Sequence, residues 1–135
     1  MLSEKKLSSE QSFDISDAMQ AAAASALMLR REMKDSLSAQ EYQLLVERET
    51  ALRYDADRCR AVGIKLIANN GALTARNLVG AIDQATRSIG NVRDIMRVLN
   101  ILNRLVALST AIMVGTVQGI LEQIAELKAT VKANA

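Results

Sequence analysis

The sequence contains no proline, no histidine, no tryptophan and a single cysteine. Proline is the strongest helix breaker, so its absence removes the commonest obstacle to long helices. Aromatic residues make up 2% of the chain, whereas 50% of the 135 residues are hydrophobic. Most of these are Ala, Leu, Ile, Val and Met, and Ala, Leu and Met are strong helix formers. The composition therefore predicts helix before any periodicity is considered.

The missing histidine removes the commonest general base and the commonest transition-metal ligand. The single cysteine, Cys59, can form neither an intramolecular disulfide nor a thiolate zinc site. It falls at a helical seam position, where a buried small hydrophobic residue is expected rather than a reactive thiol. The sequence also has no glycine-rich phosphate-binding loop. We therefore expect no enzymatic activity, no cofactor and no bound metal.

Carboxylates are the remaining candidates for chemistry, and they are densest in the second predicted helix. Glu47, Glu49, Asp55 and Asp57 alternate there with arginines. Side chains three or four residues apart on a helix form ion pairs at its surface. We therefore interpret this group as a solvated face, with a catalytic carboxylate pair or a divalent-cation site as the alternative.

The apolar periodicity predicts an all-α fold. We expect residues 1–13 to be a disordered polar tail and residues 14–135 to form one domain. The domain is predicted to be an antiparallel bundle of four helices, at about residues 14–36, 39–69, 73–88 and 91–132.

The predicted helix boundaries rest on capping signals. Asp14 is placed to cap the first helix, and Ser38 with Glu41 forms a capping box for the second. The second helix carries an apolar seam at seven-residue steps, as in a coiled coil, and residues 69–71 are its expected stop. Gly90 predicts a break before the last helix, although the spacing of the apolar residues on either side of it also fits one continuous helix.

The last helix is the most unusual element, because its segment from Ile95 to Val131 is strongly apolar. A straight helix over residues 91–132 would be about 60 Å long, so we expect a bend near Gly115 or packing against another molecule. Small residues at four-residue steps and the apolar residues beside them are typical of close helix packing. The predicted helix-packing or oligomer interface comprises Ala107, Ala111, Gly115, Gly119, Val106, Met113, Val117 and Ile120.

Arginines precede the uncharged part of this helix, residues 105–121. Residues 105–121 carry no charge and would span about 26 Å as a helix, close to the roughly 30 Å hydrocarbon core of a bilayer. Arginine binds phosphate groups well, and basic residues beside an apolar segment are typical of membrane-surface contact. The predicted contacts to an anionic surface are Arg93, Arg97, Arg104 and Arg87.

These patterns favour a non-enzymatic helical interaction protein that self-associates or docks a partner helix through its long C-terminal helix. The alternative is a toxin-like or effector-like bundle that targets or inserts into membranes. Nucleic acid is a poor candidate partner because aromatic stacking platforms are nearly absent. No signal peptide is recognisable at the N-terminus, so we expect a cytoplasmic protein or one exported without a cleaved signal, with membrane association as a further alternative.

Overall fold

The computed structural model describes residues 4–67, 73–92 and 94–134, and this part of the chain forms an all-α fold of five helices with one two-stranded sheet. In chain order the elements are β1 (Glu4–Lys6), α1 (Ser9–Glu32), α2 (Ala39–Val62), β2 (Lys65–Ile67), α3 (Ala75–Asn91), α4 (Ile95–Val114) and α5 (Val117–Ala133). A single 3-10 turn, Lys34–Ser36, connects α1 to α2.

Local capping determines where the helices begin. The predicted capping box of α2 is present: the Glu41 amide donates to Ser38 Oγ at 3.0 Å, and the Ser38 amide donates to Glu41 Oε1 at 2.8 Å. The same reciprocal arrangement starts α1 at Ser8 and α3 at Thr74. Each box satisfies amide groups that the first helical turn leaves without a partner.

The first helix begins earlier than predicted, at Ser9 rather than Asp14. Residues 4–12, which we expected to belong to a disordered tail, form β1, a linker and the first turn of α1. Leu7 is buried, and its amide donates to the Ile64 carbonyl at 2.9 Å. The prediction missed this order because it took Asp14 as the cap and overlooked the capping box of Ser8 and Gln11, and because β1 pairs with a distant strand.

The second helix ends earlier than predicted. Gly63 terminates α2 with a φ of 75°, and the chain then enters β2, which pairs antiparallel with β1. The expected stop at residues 69–71 lies outside the described residues. Leu66, which lies seven residues after Cys59 on the predicted seam, is buried but belongs to a strand.

The predicted last helix is divided, so the architecture of four helices is replaced by five. Helix α3 continues through Gly90, where a break was predicted, and the chain leaves the helix at Val92. Asp94 then caps α4. A second break falls at Gly115, where α4 ends and α5 begins after Thr116. The expected bend near Gly115 is therefore a complete break between two helices.

Gly115 ends α4 because its backbone is left-handed, with a φ of 89°. Its carbonyl accepts a 2.7 Å hydrogen bond from the Ile67 amide, and Thr116 forms a parallel bridge to Ile67. A Cβ atom on residue 115 would overlap the Lys65 carbonyl oxygen. Only glycine combines this conformation with so close a backbone approach.

The helices surround one core in the order α1, α2, α4, α5, α3, with α3 again beside α1. Helix α2 runs antiparallel to α1, since Arg30 reaches Glu49 and Ser16 reaches Ala56. The order of residue contacts shows that α4 runs parallel to α2 and that α5 is antiparallel to α4. The core is filled almost entirely by aliphatic residues from all five helices.

We expect Gly115→Ala to lower the free energy of unfolding by about 2–4 kcal/mol, because the left-handed backbone alone costs an L-residue about 1–2 kcal/mol and the overlap with Lys65 adds to it. Gly119→Ala is the matched control, since a Cβ atom on residue 119 would meet open space. In α5 the Gly119→Ala change should raise the free energy of unfolding by about 0.5–1 kcal/mol. Urea denaturation measures both values, and equal stabilities would contradict a tight contact at Gly115.

Candidate interaction surface

The predicted interface residues do not share one surface. Gly115, Val117 and Ile120 are buried within the bundle, because the break at Gly115 turns α5 back along α4. The other five are half-buried: Val106, Ala107, Ala111, Met113 and Gly119. Of these, Met113 faces α2, with its Sδ 3.4 Å from Cys59 Sγ.

The outward side of α4 presents a different set of residues, which we call the α4 outer stripe. Its members follow one another at three- and four-residue steps and are exposed, apart from the half-buried Ala107. They are Met96, Asn100, Asn103, Ala107, Thr110 and Val114. The stripe runs for about five turns without a charged residue.

A groove of about 360 Å³ lies between α4 and α5 beside this stripe. Its α5 wall includes Ala129 and Ala133, and its α4 wall includes Asn100 and Asn103. Apart from Arg104, its lining is uncharged. We call the α4 outer stripe and this groove together the α4–α5 surface.

The predicted arginine strip is only partly available to an anionic surface. Arg104 forms a salt bridge with Glu126 of α5, so its charge is already paired. Arg87 and Arg97 are exposed, on α3 and α4 respectively. Arg93 lies outside the described residues.

Two of the four α2 carboxylates are buried, so the interpretation of this group as a solvated face is wrong for them. Glu49 accepts two hydrogen bonds from Arg30, at 2.8 and 3.0 Å. These bonds raise the pKa of the Arg30 guanidinium, which also donates to Tyr42 Oη at 2.7 Å. Asp55 accepts a 2.6 Å hydrogen bond from Ser109 of α4. These carboxylates therefore connect helices within the bundle.

Sequence reasoning did not predict a second groove, of about 560 Å³, between α1 and α3. The only sequence signal for it was the alanine run at residues 21–24, whose short side chains let a neighbouring helix approach α1 closely. Its lining includes small apolar side chains and three aspartates. The lining residues are Gln11, Asp14, Asp17, Ala18, Ala21, Ala75, Arg76, Val79 and Asp83.

Cys59 lies in the core, where its thiol is within hydrogen-bonding distance of Met113 and 4.0 Å from Met19 Sδ. Burial, and secondarily the negative charge of Asp55, raise the pKa of the Cys59 thiol to about 11. A thiol with so high a pKa is a weak nucleophile, because the thiolate is the reactive form.

Within residues 4–67, 73–92 and 94–134, no cluster of three or more Cys, Asp or Glu side chains is arranged to hold a metal ion. Among the described residues, one helix, Ile95–Val114, is long and apolar enough to cross a membrane, with a mean hydropathy of 1.4. Compared with known proteins, the chain matches no family model, no curated protein and no solved structure.

We expect the Cys59 thiol to react slowly with a disulfide reagent such as DTNB while the protein is folded. A rise in pKa from 9.0 to about 11 lowers the thiolate population at pH 8, by about 100-fold. Burial slows the reaction further, and denaturation in urea should restore it. Cys59→Ser provides the blank, and similar rates in native and unfolded protein would show that the thiol is accessible.

Proposed function

We propose that this protein is a non-enzymatic helical interaction protein that self-associates or docks a partner helix through its α4–α5 surface. The observation that carries the proposal is the uncharged α4 outer stripe. The exposed side of α2, by comparison, carries Glu47, Asp57 and Arg58. A helix facing only water normally has charged residues on its solvent side, whereas the core of a protein interface is depleted of them.

The side chains of this surface suit helix packing. Ala107, Ala129 and Ala133 are small, so the backbone of a second helix can approach closely, and alanine loses no rotamer entropy on burial. Asn100 and Asn103 each make one side-chain hydrogen bond within the bundle and keep further donors or acceptors for a partner. Met96 and Val114 supply apolar contact at either end. Helix α4 is about 30 Å long, which gives a docked helix several turns of contact.

Membrane contact is the second candidate function, and the apolarity of α4 favours it. In the most apolar window of α4, 44% of the residues are buried. The buried side chains, among them Val98, Ile101 and Leu105, form part of the core. Inserting α4 into a bilayer would expose the core that these residues share with the other helices. Self-association uses the folded bundle, and we therefore prefer it.

We expect Thr110→Glu to weaken self-association at least about tenfold, because it places a charge where a packed interface would desolvate it. Size-exclusion chromatography with light scattering, over a concentration series, measures the effect. Thr50→Glu is the matched control, since Thr50 is exposed on α2 on the side away from α4. Equal association of the two variants and the wild type would place the contact elsewhere.

Co-sedimentation with vesicles separates the two candidate functions. With self-association as the function, we expect the protein to remain in the supernatant with phosphatidylserine-containing vesicles. Binding that is lost in Arg87→Glu/Arg97→Glu would instead favour the membrane function. Such binding should also weaken at high salt, because the headgroup attraction is electrostatic.

A further inference from the structure

We propose that the acceptor for self-association is the groove between α1 and α3, and that the outer face of α5 from a second copy docks in it. This inference rests on the proposed function, because the donor face contains Ala129 and Ala133 of the α4–α5 surface together with the neighbouring exposed residues of α5. The contact is head-to-tail in the sense that the donor face meets a different part of the second copy, and two copies can also make it reciprocally as a two-fold dimer. Repetition of such a contact produces a ring or an open chain.

The groove has a shallow apolar floor. Helices α1 and α3 run parallel, because residue numbers rise in the same direction along both. Residues between 11 and 21 of the first face residues between 75 and 83 in this groove, and residues between 25 and 32 face residues 89 and 90 in a neighbouring cavity. The floor contains Ala18, Ala21 and Ala75. Because these side chains are short, a third helix can approach both backbones closely.

The rim of the groove is acidic. Asp14, Asp17 and Asp83 line it, against the single basic residue Arg76. Asp17 is neutralised by a salt bridge with Arg60. Asp14 and Asp83 form no salt bridge with any residue in the described part of the chain. The groove therefore favours an occupant that combines small apolar side chains with positive charge.

The second half of α5 has that combination, and its exposed carboxylate, Glu126, is already paired with Arg104. Ala125, Ala129 and Ala133 are exposed at four-residue steps, so they form a smooth line on one face. Lys128 and Lys132 are exposed beside that line, and neither forms a salt bridge within the described residues. Their long side chains can follow the apolar surface and place the ammonium groups against aspartates at the rim.

A chain cannot fill its own groove in this way. Helix α5 lies on the side of α3 that is away from α1, and its alanine line points out of the bundle. The groove and the line are therefore both free on a single copy. A basic helix from another protein is the competing occupant, and charge reversal on both surfaces distinguishes it from a second copy.

Charge reversal tests the pairing directly. The acceptor variant is Asp14→Lys/Asp83→Lys, and the donor variant is Lys128→Glu/Lys132→Glu. We expect each variant alone to self-associate at least about tenfold more weakly than the wild type, because like charges then face one another. An equimolar mixture of the two should associate again, since every contact between the two different variants joins opposite charges.

Lys5→Glu/Arg58→Glu is the control for charge change, because both residues are exposed on other elements and neither lines the groove. It should associate like the wild type. Far-UV circular dichroism and the thermal midpoint establish that every variant is folded. Light scattering and sedimentation velocity measure association across a concentration series.

The outcomes separate this inference from the proposed function. If both variants associate like the wild type, the head-to-tail pairing is wrong, while self-association through another part of the α4–α5 surface stands. If only the acceptor variant is weakened, or the mixture fails to recover, α5 is not the occupant. A wild type that stays monomeric at millimolar concentration would overturn self-association itself.

Discussion

The backbone contact between Gly115 and β2 is the constraint on which the rest of the structure depends. The apolar run from Ile95 to Val131 is too long to lie straight against helices of the length of α1 and α2. A left-handed residue ends α4, and the Ile67 amide holds the turn at 2.7 Å. Helix α5 then returns along α4 and fills the place between α4 and α3. Without that return, the apolar side of α4 that faces α5 would be exposed to water.

Buried polar contacts determine how the helices are aligned. An aliphatic core tolerates sliding of one helix past another, because its contacts are non-directional. Ser16 donates to the Ala56 carbonyl at 2.8 Å, and Arg30 binds Glu49 through two hydrogen bonds. Together they define the register of α1 on α2, since displacing either helix would leave a buried polar group without a partner. Asp55 and Ser109 define the register of α2 on α4 in the same way.

Several features that depend on local sequence were predicted, although the capping box at Ser8 and the stop at Gly63 were missed, and features that depend on distant contacts were not predicted. The all-α class, the capping box at Ser38 and the buried seam position of Cys59 follow from short-range patterns, and the structure confirms them. Pairing of β1 with β2 joins residues about sixty positions apart, which no periodicity in either segment reveals. Likewise, burial of Glu49 depends on where Arg30 falls on a different helix. The predicted interface residues were placed on one continuous helix. Because that helix breaks at Gly115, some of them lie in the core and the others are half-buried.

The same turn links folding to the proposed assembly. In a continuous helix, Lys128 and Lys132 would lie far beyond the end of the bundle, on a segment without neighbours. Once the chain reverses at Gly115, α5 buries Ile124 and Leu127 against the core and holds its alanine line outward. A rigid, preformed helix face loses less conformational entropy on binding than a disordered segment does. Loss of the turn would therefore remove the donor face together with part of the core, so that assembly and stability would decline together.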